Sequence, residues 1–239
     1  MKINWSYIKV FFLISLLSVT YAFTSHRNSS KNVKNVTVEF AGAQNLYLTS
    51  ETVNKLLIQS LGSLKNVPKE NIDLNTIENA LKANKMVKSA QVYLTVNGNL
   101  TSKIVQKSPI ARVEGVTKFY LDDEGKRMPL SKNHSARVPI ISGRITDASL
   151  ENAFVVLQYI NADDFLKKNV IGIHLIEQGR LQLKLRLENF VVNLGNAKNL
   201  EAKFNNYKAF YHKAVNDKIL NSYKAISLEY NNQVVCTKK

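Results

Sequence analysis

The chain has 239 residues, enough for one large domain or two small ones with separate cores. Its 33 Lys and Arg against 18 Asp and Glu leave +15, a balance suited to an anionic surface or an acidic partner. No run of five basic residues concentrates that charge into a nucleic-acid stripe, so no nucleic-acid partner is expected. The lone Cys236 excludes an intrachain disulfide framework, and His26, His134, His174 and His212 lack metal-ligand spacing.

The first element is Val10 to Phe23, an uncharged apolar run flanked by Lys9 on one side and by His26 and Arg27 on the other. Trp5, Tyr7 and Tyr21 lie at interface depth, and Trp5 to Phe23 is just long enough to span a bilayer if Lys9 snorkels. The same segment fits a signal peptide with an indifferent cleavage site at Thr20-Tyr21-Ala22. Charge does not decide the topology, because Lys2 and Lys9 face Arg27, Lys31 and Lys34. Residues 25–35 are polar and read as a short extended linker.

Ordered structure is predicted from Val36. Val36, Val38 and Phe40 alternate as a strand that Gly42 closes. Ser50 is the expected cap of a helix with Val53, Leu56, Leu57 and Leu61 on one face and Gly62 as its stop. Asp73 caps a second helix through Leu74, Ile77 and Leu81. In the following hairpin Val92, Leu94 and Val96 alternate, Asn97-Gly98 forms a two-residue turn with both positions tolerating φ > 0, and Leu100 to Val105 return. Pro109, lacking an N–H, ends that pairing. The order is β-α-α-β-β, a compact module whose two helices cover one face of a three-stranded sheet.

The remainder has a different rhythm. Phe119 to Leu121 and the region of Met128 are strands around a Gly125 turn, which accounts for Asp122-Asp123-Glu124 better than a metal cluster does. Asp147 or Ser149 caps a helix with Leu150, Phe154, Leu157 and Ile160 inward. Leu181, Leu183, Leu185 and Leu187 alternate with Gln182, Lys184, Arg186 and Glu188, the mark of an antiparallel sheet wet on one face. A turn at Glu188-Asn189 returns through Val192 and Leu194 to Gly195. Residues 198–215 read as a basic amphipathic helix with Leu200, Phe204, Tyr207 and Tyr211 on one face, expected to pack on the neighbouring sheet in preference to a membrane surface or a partner. Ile226 to Val235 is read as one terminal strand with Ile226 and Leu228 toward the core. No later strand is expected to pair with it, so one backbone edge stays open to a partner strand, with Glu229, Tyr230, Gln233, Val234 and Val235 as candidate contacts.

No G-x-S-x-G, P-loop, G-x-G-x-x-G or H-E-x-x-H occurs, and no catalytic residue, metal, cofactor or small-molecule substrate is expected. The succession of Asn84–Tyr93 (NKMVKSAQVY), Ile104–Val113 (IVQKSPIARV), Tyr120–Ser131 (YLDDEGKRMPLS), Val138–Gly143 (VPIISG) and Ile226–Val235 (ISLEYNNQVV) resembles the FtsQ/DivIB family of bacterial cell-division proteins. Lys85-Met86 replaces a common Pro-Trp and Gln106-Lys107 a common Glu-Arg, the latter as in Bacteroidetes-type relatives; Met fills the apolar slot of a Trp.

The resemblance implies an α+β chain with a cytoplasmic tail (1–7), an uncleaved transmembrane helix (8–24), the linker (25–35), a POTRA domain (36–114) and a β-rich domain (115–239) with an antiparallel sheet and flanking helices. It also implies a non-enzymatic scaffold of the divisome in the inner membrane. Its N-terminus would be cytoplasmic and its bulk periplasmic, at the division septum, with FtsB- and FtsL-like bitopic partners. The alternative is a POTRA-containing component of outer-membrane assembly or secretion, for which a second βααββ unit and a run of barrel strands are missing. Intact mass of the membrane-extracted protein is expected to retain Val10–Phe23; a chain beginning at Phe23 would mean a cleaved signal.

Overall fold

The computed structural model describes residues 5–29, 31–42, 45–230 and 233–239. They form two compact units, Met1–Gln106 and Lys107–Lys239.

In the first unit, helix α1 (Trp5–Ser29) precedes β1 (Asn35–Ala41), α2 (Ser50–Leu61), α3 (Leu74–Lys82), β2 (Val87–Leu94) and β3 (Asn99–Gln106). The sheet order is β1-β3-β2, with β1 parallel and β2 antiparallel to β3. Leu100 and Ile104 on the central strand are fully buried and pack with Val53, Leu57, Ile77 and Leu81 of the two helices. Thr49, one residue before the expected Ser50, is the N-cap of α2: its hydroxyl accepts from the Thr52 N–H at 3.2 Å. Asp73 caps α3 as expected.

The hairpin turn is wider than the two residues expected. Gly98 N–H donates to the Thr95 carbonyl, Thr95 N–H donates to the Asn99 carbonyl, and only Gly98 of the Asn97-Gly98 pair has positive φ, at 87°. This glycine is also crowded, since a Cβ there would lie 2.7 Å from the Asn32 carbonyl oxygen.

The segment read as an extended linker is built into the unit. Residues 25–29 continue α1, Val33 is fully buried, and Asn32 bridges to Pro68. Val33 N–H donates to the Val67 carbonyl at 2.9 Å, Asn66 N–H donates back to the Val33 carbonyl at 2.8 Å, and Lys34 N–H reaches the Gly98 carbonyl. Polar composition concealed this because the partners are backbone groups that any sequence carries.

The second unit holds β4 (Pro109–Glu114), β5 (Lys118–Asp122), β6 (Arg127–Met128), β7 (Ile140–Gly143), α4 (Asp147–Ala162), α5 (Asp164–Asn169) and β8 (Val170–Leu175). They are followed by β9 (Leu181–Leu185), β10 (Val191–Gly195), α6 (Leu200–Asn216), β11 (Tyr223–Ser227) and β12 (Val235–Lys238). Residues 109–114, grouped by sequence with the first domain, therefore belong to the second sheet, where they pair with β5 and β7. Pro109 stands at the first position of its strand, where a missing donor is tolerated.

The nine-stranded order is β12-β11-β10-β9-β8-β7-β4-β5-β6. The sheet is mixed rather than antiparallel. β7 and β8 are parallel across α4 and α5, and β10 and β11 are parallel across α6, because such pairs need a long crossover and the helices supply it. The Leu181–Leu185 alternation sits between antiparallel β8 and β10, as its pattern requires, but Leu187 is 76% exposed because the strand stops at Leu185.

Leu150, Ala153, Val156, Leu157 and Ile160 of α4 and Leu200, Phe204 and Tyr207 of α6 join the sheet's buried side chains in one core. Tyr159 stacks on Phe204 with centroids 5.1 Å apart. The cap of α4 is Thr146, in a capping box with Ser149. In the acidic turn, Asp122 is buried. Its Oδ1 accepts from the Glu124 and Lys126 N–H groups and its Oδ2 from Lys107 Nζ at 2.6 Å, so it anchors the turn.

Two expectations follow. Gly98→Val destabilises the protein by about 1–3 kcal/mol through strained backbone, read by thermal unfolding. Asp163 caps α5 by accepting from the Leu166 N–H and pairs with Lys208 Nζ at 2.7 Å. The Lys208 hydrogen bond, then the Leu166 N–H, lower its carboxyl pKa below the usual value. Asp163→Ala is expected to cost about 1–2 kcal/mol at neutral pH. Because the folded pKa is depressed, that stabilisation is complete above the unfolded Asp pKa and fades as acid titrates the folded carboxylate. Wild type and variant should therefore converge in strongly acidic buffer.

Candidate interaction edge

Ile226 to Val235, expected as one strand, is a hairpin. β11 ends at Ser227, the chain turns, and β12 runs back antiparallel with Ser227 opposite Val235, Ile226 opposite Cys236 and Ala225 opposite Thr237. The pairing partner thought to be missing is thus the last stretch of the chain itself. An open edge persists one strand further out: β12 ends the sheet order, and its outer side has no neighbouring strand among the described residues.

The approach to the hairpin is held tightly. Ile226 and Leu228 are buried in the core, and Leu228 N–H donates to the Asn193 carbonyl at 2.8 Å. Glu229 turns over Gly195, whose φ is +72° and where a Cβ would meet Glu229 Cγ at 2.7 Å. Lys203 of α6 donates to the Leu194 and Asn196 carbonyls at 2.9 and 2.8 Å and to Asn196 Oδ1 at 3.1 Å, closing the bend between β10 and α6. Burial pushes the Lys203 pKa down while Glu229 pulls the other way.

The candidate contact residues therefore divide. Tyr230 and Val235 are 54% and 41% exposed, and Gln233 is exposed but lies in the connection, outside both strands. Glu229 is exposed yet committed to the Gly195 bend, and Val234 is half-buried against the core. Asn231 and Asn232 lie outside the described residues. A proline at position 233 would not remove a ladder donor, since Gln233 is not in the ladder. Cys236 is half-buried and burial raises its thiol pKa, which makes it a poor nucleophile. The Lys203–Gly195–Glu229 arrangement was not legible beforehand; its one sequence trace is a glycine between a strand and a helix.

Among the described residues no cluster of His, Cys, Asp and Glu could hold a metal. The contact nearest to a catalytic pair is Ser142 Oγ with His174 Nδ1 at 3.1 Å. It sits on strand positions that line a groove of about 590 Å³.

Residues 108–237 match the family described as FtsQ/DivIB, C-terminal related, more than half of the chain. The chain belongs to the FtsQ/DivIB family. Residues 33–105 match a POTRA-like domain, and the two matches meet where the compact units divide. No curated protein matches. Family membership makes this a cell-division protein of a scaffold family, and α1 supplies an apolar helix, Trp5–Asn28, long enough to cross a membrane.

Proposed function

We propose that this FtsQ/DivIB member is a non-enzymatic bitopic scaffold of the divisome, anchored in the inner membrane by α1 with its N-terminus cytoplasmic. Its folded units would work on the periplasmic side at the septum, binding FtsB- and FtsL-like single-span partners and coupling septum assembly to cell-wall synthesis. Family membership supports the setting. The observation that carries the binding mode is the outer edge of β12, unpaired among the described residues, with exposed Val235 on that strand and exposed Tyr230 in the connection before it.

An added strand gains main-chain hydrogen bonds along such an edge, and side chains at alternate positions select the partner. Val235 is the selecting residue on the strand in this reading, and Tyr230 adds to selection from the connection. Gln233 would contact the partner from the connection, whereas Glu229 and Val234 hold the hairpin in place. Lys238 and Lys239 make the end of the edge basic and favour an acidic partner segment.

The test is capture of an FtsB-like partner by the full-length, membrane-extracted protein. Tyr230→Ala and Val235→Asp are each expected to weaken capture about tenfold or more, with thermal stability changed by no more than about 0.5 kcal/mol because both side chains are exposed. Undiminished capture after removal of Val235–Lys239 would place the partner elsewhere.

A further inference from the structure

Three segments of the first unit meet at the exit of α1. Lys69 Nζ donates to Asn28 Oδ1 in the last turn of α1 at 3.2 Å and to the Val96 carbonyl in the hairpin turn at 2.8 Å. Lys69 N–H donates to the Lys31 carbonyl at 3.0 Å, and Lys34 N–H donates to the Gly98 carbonyl at 2.8 Å. Together with the Val33–Val67 and Asn66–Val33 bonds, these contacts seat residues 31–34, 65–69 and 95–98 side by side, next to the end of the apolar helix.

This end of the unit has a distinctive composition. Residues 31–34, 62–71 and 95–98 contain Lys31, Lys34, Lys65 and Lys69 against a single acid, Glu70. Lys31, Lys34 and Lys65 are exposed. Burial lowers the pKa of Lys69, and the nearby charge of Lys31 adds to the effect in the same direction. Val96, at the tip of the hairpin, is 69% exposed. An exposed apolar tip held by Lys34 and Lys69, with Lys31 and Lys65 on the adjoining segments, matches a surface that presents negative charge above hydrocarbon: the methylenes and Val96 enter the headgroup layer while the ammonium groups stay at phosphate level.

We infer that this end of the POTRA-like unit docks on anionic phospholipid headgroups at the membrane where α1 emerges, so that the unit is seated on the bilayer rather than tethered above it. The inference rests on the reading of α1 as a retained membrane anchor. Each lysine within reach of an anionic surface strengthens such seating about fivefold, falling off over a Debye length.

The test uses the full chain with Cys236→Ser and a nitroxide on Asn97→Cys, reconstituted in nanodiscs of phosphatidylcholine or of an equimolar mixture with phosphatidylglycerol. The label is expected to become more accessible to oxygen and less to a water-soluble nickel chelate in the anionic discs. The shift should disappear when Lys31, Lys34 and Lys65 are changed together to Glu, and Val96→Asp should reduce it. Should the triple variant misfold, salt raised to about 1 M, where the Debye length is about 3 Å, must abolish the shift in the unmutated lysine background. Equal accessibility in both discs, or a shift indifferent to salt and to the lysines, overturns the inference and leaves the anchor and the proposed scaffold role intact. A chain that fails to enter the discs at all overturns the anchor reading itself.

Discussion

One row of side chains organises the second unit. Val113, Ile141, Ile173, Leu183, Val192 and Ile226 occupy successive paired positions across β4, β7, β8, β9, β10 and β11, each no more than 1% exposed. Because side chains alternate along a strand, a slip of one residue in any pair would turn that strand's apolar set to the wet face. The row therefore pins the register of six strands at once. It also sets the place of β12: with Ile226 buried and β11 paired to β10, Val235–Lys238 pair on the other side of β11.

The two units use the same physics at different scales. The small sheet centres its buried residues on β3, with helices on one side, and closes its weak point with Gln106. That side chain, 4% exposed, accepts from the Tyr47 and Leu48 N–H groups and donates to the Leu48 carbonyl. A buried amide with three satisfied bonds costs little and holds the approach to α2 against the end of the sheet. In the larger unit the corresponding device is Lys203, whose ammonium gathers three oxygen acceptors at the β10–α6 bend. Both are polar side chains positioned to settle backbone groups that the strands and helices leave unpaired.

A partner surface of the kind proposed has to stay available in a stable fold, and an edge strand offers one at low cost to the core. Among the described residues β12 pairs with β11 alone, and Val234 and Cys236 tuck against the core while Tyr230 and Val235 stay outside. At the other end of the chain, Lys31, Lys34, Lys65 and Lys69 gather where the apolar helix gives way to the fold. Spread along the sequence, these charges look like an ordinary solvated surface; folded, they become local.

Much was legible in the residues alone because the signals are periodic and local. The apolar run of α1, the βααββ order, the Asp73 cap, the Gly62 and Gly125 punctuation and the buried alternation of Leu181, Leu183 and Leu185 each depend on neighbours within a few positions. Succession of motifs was enough to suggest the family. What needed the tertiary structure were pairings between distant segments: Val33 with Val67, the transfer of Pro109–Glu114 to the second sheet, the parallel crossovers, and the return of Val235–Lys238 along β11. Backbone hydrogen bonds make these pairings and carry no side-chain signature, so a stretch such as Ile226–Val235 reads equally well as one strand or two until the core claims Ile226 and Leu228 and forces the turn.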